Sequence, residues 1–305
     1  MNNHVIRDLL SRIDEKNILP NESLSKHTFT KTGGKGDIVI TPESYEDVRF
    51  VYQYALKNHI PVTILGNGSN LIIKDGGIRG FVVILTKLKN ITLNDNQIIA
   101  QTGAAIIDTS RFALKHCLTG LEFACGIPGS VGGALYMNAG AYGGEISQVL
   151  KSALALDNTG EFVVLKKEEL ELGYRKSNIE EKGVIILEAT FELKPAAYDA
   201  IKAVMDDLTY KRESKQPLEY PSCGSVFKRP PGYFAGKLIQ DCGLQGKQIG
   251  GAQVSTKHAG FIVNLGAATA SDYLALIKHI QNTVKSKFGV ELETEVRIIG
   301  EDAPS

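Results

Sequence analysis

The sequence predicts a mixed α/β (α+β) fold divided into two or three domains. Three observations carry this. The chain has 305 residues, and domains commonly run to about 100–200 residues each. Residues 37–65 read as strand, helix, strand, the helix showing one apolar stripe at helical spacing. Beyond residue 145, short period-2 runs alternate with longer helical stripes.

In chain order, Asp37–Thr41 reads as the first strand of that unit. Ser44 is placed to cap a helix reaching Asn58, with Asp47 near its third position. Val48, Val51, Tyr52, Ala55 and Leu56 make its buried stripe. Pro61–Leu65 is the next strand, so the unit implies parallel strands joined by a right-handed crossover. Further strands are expected at 81–85, 98–102, 152–157, 161–165 and 184–193, and a helix at 106–117. A helix at 197–213 carries Ile201, Val204, Met205 and Leu208 on one face. Prolines 217, 221, 230 and 231 mark the stretch 213–231 as loop. A short helix at 235–241 ends at Cys242-Gly243, and a long one runs from Ser271, the expected cap, to Gly289, the expected stop. Its stripe is Tyr273, Leu276, Ile277, Ile280, Val284 and Phe288. A final strand, 290–299, alternates at Val290, Leu292, Val296 and Ile298. Element order places domains at 1–85, 86–195 and 196–305, with the last strand free to pack back on the first two.

Composition narrows the function. Lys+Arg and Asp+Glu both total 34, so no global charge draws the chain to nucleic acid or an anionic membrane. No apolar run approaches the roughly 18 residues of a membrane span, and the start lacks the apolar core of a secretory signal. Cys117, Cys125, Cys223 and Cys242 are scattered without a CxxC pair. Neither a disulfide framework nor a metal site is expected, and a reducing cytoplasm is the natural setting.

Glycine is the unusual residue. Segment 120–144 holds eight, where ordinary usage of roughly 7% gives about two. Glycine loses much entropy on folding, so such density needs a reason. Tight turns at a sheet edge are one reading. A backbone laid against a flat or charged ligand is the other, and the small Ala, Ser and Asn neighbours favour it. A second glycine loop, Gly66-Asn67-Gly68-Ser69-Asn70, follows the strand Pro61–Leu65. Ligands favour that end of a parallel strand, and successive backbone N–H groups there suit a diphosphate. It is neither a P-loop nor GxGxxG, and alone it reads most simply as a turn. Two such loops suggest one extended nucleotide cofactor held mainly by backbone.

Other motifs are weaker singly. Thr30-Lys31-Thr32-Gly33-Gly34 reads as a turn. Tyr174-Arg175 offers a guanidinium able to grip a carboxylate through two hydrogen bonds, although most lone arginines are surface residues. Pro221–Pro230 sets Cys223 and Ser225 among small residues, but it is not GxSxG and no histidine grouping supplies a triad. Glu293 and Glu295, two apart, share a face of the last expected strand.

Taken in order, these motifs resemble the MurB family of flavin-dependent reductases. The resemblance runs through nearly the whole chain. It covers TKTGG at 30–34, LGNGSNLII at 65–73, the segment 120–145, GYR at 173–175, SCGSVFKRP at 222–230, the stretch 235–264 and LETEVRIIGE at 292–301. It implies a two-part FAD-binding region of the vanillyl-alcohol-oxidase (PCMH) type, followed by a C-terminal α/β substrate-binding domain. It also implies NADPH-dependent, FAD-mediated reduction of an enolpyruvyl UDP-sugar to UDP-N-acetylmuramate, for peptidoglycan, by a cytoplasmic monomer. The absence of a metal cluster or triad then follows, because the flavin supplies the chemistry and the protein supplies position and field.

By the same resemblance FAD lies on Leu65, Gly66, Asn67, Gly68, Ser69 and Asn70, and on Gly126, Ile127, Pro128, Gly129, Ser130, Gly133, Ala134, Asn138, Ala139 and Gly140. Arg175, Ser225 and Glu295 occupy the catalytic positions. Arg175 would stabilise charge on the substrate carboxylate. Ser225 would protonate the α-carbon by a route through water or neighbours such as Lys228. Glu295 would help only when protonated or bridged by a donor. Lys215 matches the lysine that holds the substrate diphosphate, while Tyr174, Arg229 and His258 fall at substrate positions. Only a short segment separates Arg175 from the strand at Val184, so the chain resembles the shorter subclass, without the loop bearing a substrate-covering tyrosine. Another FAD oxidoreductase of the same cofactor fold is the alternative, and the three catalytic positions together argue against it.

Overall fold

A computed structural model describes residues 3–303. The chain divides into two compact units. One comprises residues up to Pro20, Asp37–Asn67 and Gly80–Arg212; the other comprises Asn21–Gly36, Gly68–Arg79 and the chain from Glu213 onward.

Two sheets make up most of the first unit. One has four strands in the order Ile18–Ser23, Lys35–Ile40, Ile78–Ile84, Val62–Leu65. The helix Tyr45–Lys57 packs on it through Val48, Val51 and Ala55. Ser44 caps that helix as expected, and Asp47 returns the bond to complete a capping box. The two strands flanking the helix are not neighbours, however. Ile78–Ile84 lies between them, and it pairs in parallel with Val62–Leu65 from Val62↔Phe81 to Leu65↔Ile84. The burial pattern explains the order. Ile78–Ile84 is buried on both faces except at Arg79, whereas only Leu65 of the other strand is buried. An apolar run of that kind belongs in a central position and leaves the half-buried strand at the edge.

The other sheet has five antiparallel strands in the order Phe162–Lys166, Leu150–Leu156, Ile185–Glu192, Gln97–Gln101, Ile91–Asn94. Ile98, Ala100, Ala153, Ala189 and Phe191 form its core face, covered by Ile106 and Ala113 of one helix and Val131, Ala134 and Leu135 of another. Ile91–Asn94 escapes sequence reading because only its first residue is even half-buried.

In the second unit an antiparallel sheet runs Ser222–Ser225, Phe261–Asn264, Ala252–Val254, Gln248–Ile249. The helices Ala235–Asp241 and Ala270–Phe288 pack on it around Leu238, Ile239, Tyr273, Leu276, Ile280 and Val284. Each buried Leu or Ile contributes roughly 1.5–3 kcal/mol relative to exposure. The final strand is shorter than expected. Only Arg297–Ile299 forms a ladder, parallel to Leu71–Ile73. Upstream, Leu292 and Val296 anchor in the core four residues apart, and a single bridge joins Thr294 to Phe227.

The long helix starts one turn's preparation earlier than expected. Thr269, not Ser271, is its cap, in a capping box with Asp272. The reason lies in Asp75, which occupies Ser271: its carboxylate accepts from Ser271 Oγ at 2.6 Å, from the Ser271 N–H at 2.8 Å and from the Ala270 N–H at 2.9 Å. Asp75→Ala should therefore lower the urea midpoint of unfolding by the equivalent of about 1–2 kcal/mol. Ser271→Ala, which leaves both backbone bonds, should lower it by less than half as much.

Candidate functional site

Two glycine-rich stretches of the first unit meet. A Cβ on Gly66 would collide with Ser130 Oγ, and Asn67 Nδ2 donates to the Pro128 carbonyl at 3.0 Å. The contact gathers backbone donors. The N–H groups of Gly66, Asn67, Gly129 and Ser130 donate to no acceptor among the described residues. Several half-buried donors with no protein partner form a cradle for an anion such as a diphosphate. Ser130 Oγ is occupied as the cap of Val131–Tyr136, accepting from Gly133 N–H. Ile127 is half-buried and Ala134 buried in the helix.

Much of the glycine density has a closer cause than a ligand. A Cβ on Gly126 would stand 2.6 Å from Arg212 Cδ, one on Gly144 would stand 2.6 Å from the Phe123 ring, and one on Gly140 would stand 2.6 Å from the Gly144 carbonyl. These glycines admit the protein's own atoms. Asn138 is likewise engaged: buried and at φ +41°, it donates to the Gly173 carbonyl at 3.0 Å and accepts from Ser147 N–H at 2.9 Å. Its role is to shape the loop around Ala139 and Gly140, which continues into the hairpin of Gly140–Ala141 and Gly144–Glu145.

Arg175 sits at the tip of a two-residue turn. Gly173 and Lys176 exchange both backbone bonds, at 2.9 and 3.1 Å. The turn places Arg175 at φ +52°, a conformation that strains a residue with a side chain. Its Nη2 donates to the Gly140 carbonyl at 2.8 Å, and its guanidinium lies 5.2 Å from the centroid of the Tyr174 ring, which is mostly exposed. Strain plus a bond to the glycine segment marks this arginine as a positioned group.

In the second unit Gly68 and Asn70 are used by the fold. Gly68 is buried at φ +71° against His27 and Thr28, and its carbonyl accepts from Phe29 N–H at 3.0 Å. Asn70 Nδ2 donates to the Glu295 carbonyl at 3.2 Å, and Ser69 is half-buried between them. Glu295 N–H donates to Val226 O at 2.8 Å, which brings Glu295 alongside Ser225. Ser225 ends its strand after Gly224, at φ +75°, where the ladder register shifts. It is exposed, and its hydroxyl has no hydrogen bond among the described residues. A free hydroxyl beside a carboxylate residue suits proton delivery. The Lys228 ammonium donates to Glu293 Oε1 at 2.5 Å.

Lys215 ends the helix Tyr198–Lys215, exposed and without an ion pair among the described residues. Arg229 donates to the Tyr233 carbonyl at 3.3 Å and stacks 3.9 Å from the centroid of the Phe234 ring. His258 Nδ1 accepts from Gly260 N–H at 3.1 Å, and its ring meets Phe261 edge-on at 4.9 Å. Burial pushes the His258 pKa below its ordinary 6.5, so the ring is neutral at pH 7. Arg212 has no motif around it in the sequence. Its one trace is spacing: Met205 and Thr209, seven and three residues earlier, both touch Cys125, next to Gly126. No group of three or more His, Cys, Asp or Glu among the described residues is placed to hold a metal, and no helix among them is long and apolar enough to cross a membrane.

Known proteins share this arrangement. Residues 216–299 match the family described as UDP-N-acetylenolpyruvoylglucosamine reductase, C-terminal domain, and residues 36–166 match the FAD binding domain family. The UDP-N-acetylenolpyruvoylglucosamine reductase of Oceanobacillus iheyensis is 65% identical over 98% of both chains. The crystal structure of UDP-N-acetylenolpyruvylglucosamine reductase (MurB) from Thermus caldophilus superposes with a TM-score of 0.80 at 33% identity, over 91% of this chain and 97% of that one. Alkyldihydroxyacetonephosphate synthase, 18% identical, shares the fold over 64% of this chain and 41% of its own, with a TM-score of 0.51. The fold is thus a two-part FAD-binding region of the vanillyl-alcohol-oxidase type with a C-terminal α/β domain, as the sequence predicts.

The state of His258 carries a pH signature. Its folded pKa lies below the unfolded value, so the unfolded chain takes up the extra proton first as pH falls. The neutral ring's contribution is complete above about pH 6.5 and is lost progressively below it. Urea midpoints measured from pH 7.5 to 5 should fall less steeply for His258→Gln than for the unmodified protein.

Proposed function

The chain belongs to the UDP-N-acetylenolpyruvoylglucosamine reductase family, and from that premise we propose that it reduces the enolpyruvyl group of UDP-N-acetyl-3-O-(1-carboxyvinyl)-glucosamine, with NADPH as reductant, to give UDP-N-acetylmuramate for peptidoglycan. The observation that carries the reading in this chain is Ser225, exposed with no hydrogen bond on its hydroxyl among the described residues, next to Val226, whose carbonyl accepts from the Glu295 N–H. Bound FAD would supply the redox chemistry, taking hydride from NADPH and passing it to the vinyl β-carbon. The N–H groups of Gly66, Asn67, Gly129 and Ser130, without an acceptor among the described residues, fit its diphosphate, and Gly126 belongs to the remainder of the cofactor face. Leu65 and Gly68, Ser69 and Asn70 continue that loop, while Ile127, Pro128, Gly133, Ala134, Asn138, Ala139 and Gly140 shape the remainder of the cofactor face.

The protein's own residues then act on the enolpyruvyl group. Arg175 holds a fixed positive charge for the substrate carboxylate, where negative charge develops. Its strained turn and its bond to Gly140 keep that charge in place without reorganisation. Ser225 hands its hydroxyl proton to the α-carbon. A serine is a weak acid, so position rather than acidity must account for its effectiveness. Glu295, held through its N–H on Val226 and its carbonyl on the Asn70 side chain, helps orient the carboxylate only when it is protonated or bridged by a donor. Lys215 meets the substrate diphosphate as a point charge, with Tyr174, Arg229 and His258 lining the nucleotide sugar. We assign FAD to residues 1–195 and the nucleotide sugar mainly to 196–305. We place the enzyme in the cytoplasm as a monomer; four free cysteines suit a reducing compartment, and one chain furnishes every group the reaction needs.

Two measurements test this. Lys215→Ala should raise KM for the UDP-sugar far more than it slows flavin bleaching by NADPH; equal effects would show that the lysine serves both nucleotides or acts through folding. Ser225→Ala should leave bleaching by NADPH close to wild type and slow recovery of flavin colour by the enolpyruvyl substrate by about 10²–10⁴-fold or more. Ser225→Cys should regain part of that loss. Stopped-flow absorbance on each half-reaction reads both rates, and equal slowing of the two would make the serine a flavin-positioning group instead.

A further inference from the structure

Arg212 is a half-buried cation without a partner. It makes no hydrogen bond or ion pair among the described residues, although it sits where burial disfavours its charged form and lowers its pKa from the ordinary value. A guanidinium has five donors and stays charged, and a desolvated charge left unpaired is costly. The protein nonetheless makes room for it. Met205 and Thr209 contact Cys125 on the same helix face, which carries the Arg212 stem across Gly126, where any Cβ would stand 2.6 Å from Cδ and 3.3 Å from Nε. A side chain at Gly126 would require Arg212 to shift.

The surroundings say what the charge is for. The diphosphate cradle is built where Gly66 and Asn67 meet Pro128 and Ser130. Arg212 lies at the opposite end of that stretch, beside Gly126. The groups that influence its charge are Tyr142 and Cys125. Tyr142 is in the hairpin loop whose first residue, Gly140, accepts from Arg175. Two arginines of the first unit thus address one hairpin, the reacting side rather than the diphosphate side. Hydride transfer from NADPH to FAD leaves NADP⁺ and a cofactor ring one unit more negative, with no leaving group.

We propose that Arg212 is the cation that balances this charge: it lies against the isoalloxazine ring and binds the two-electron-reduced cofactor more tightly than the oxidised one. The proposal rests on the family reading that FAD occupies the segment 126–140. Arg175 then serves the substrate carboxylate, and Arg212 sets how readily the cofactor accepts hydride.

The experiment is the midpoint potential of the purified holoenzyme, by dye equilibration, for wild type, Arg212→Lys, Arg212→Gln and Arg212→Met, with circular dichroism as the folding control. The two neutral variants should bind the reduced cofactor at least tenfold less tightly relative to the oxidised one, a potential lower by about 30 mV or more for a two-electron couple. Sulfite, which adds to flavin N5 and makes the ring anionic, should bind them at least tenfold more weakly. Arg212→Lys should regain most of both. Unchanged potential and sulfite affinity in a folded, yellow neutral variant overturns the proposal. So does loss of oxidised and reduced FAD alike, which would put the charge on the diphosphate. Colourless wild-type protein would instead overturn the family reading on which the proposal stands.

Discussion

Close backbone approach is the constraint on which the first unit's site depends. At Gly66, Gly126, Gly140 and Gly144 the space a Cβ would need is filled by protein atoms: Ser130 Oγ, the Arg212 stem, the Gly144 carbonyl and the Phe123 ring. Side chains at these positions would push apart the surfaces that Asn67 and Pro128, or Arg175 and Gly140, join by single hydrogen bonds. Interiors packed to the density of organic crystals transmit such displacements rather than absorb them. The glycine-rich segment is therefore a fitted part of the protein before it is a surface for any cofactor, and its free N–H groups owe their convergence to that fit.

The second unit positions its groups by a different device. Glu295 is gripped through its backbone, its N–H on Val226 and its carbonyl on Asn70. The loop that carries Thr30 is fastened by Asn264, whose Nδ2 donates to the Thr30 carbonyl at 2.9 Å, while Thr28, Thr30 and Thr32 satisfy one another's buried hydroxyls. Main-chain bonds of this kind fix where a residue sits. Ser225 is set apart by a shift in strand register at Gly224.

What could be read in the sequence depended on how local its cause was. The helices Tyr45–Lys57 and Ala235–Asp241 and the strand Ile185–Glu192 follow from periodicity and caps within a few residues of themselves, and they lie where those signals put them. What depended on distant residues was not legible. The strand Ile78–Ile84 lies between the two strands that flank the first long helix, because burial on both faces gives it the central position. Ser271 lost its capping role to Thr269 because Asp75, far away in the chain, had claimed it. The site shows the same division. Arg175, Ser225 and Glu295 stand in recognisable motifs, whereas Arg212 acquires meaning only once a helix is laid across Gly126, a relation that no window of sequence contains. The glycine cluster was legible as unusual, yet most of its cause is tertiary.

The left-handed backbone at Arg175 has an evolutionary consequence. Glycine or asparagine would fit that turn with less strain, by an amount of order 1 kcal/mol. Drift toward a sturdier chain therefore pushes this position away from arginine, while the role proposed for its charge against the substrate would hold it there. Selection for thermal robustness and selection for turnover pull in opposite directions at one residue. A library screened for stability alone would be expected to discard the guanidinium early and keep the fold intact around its absence.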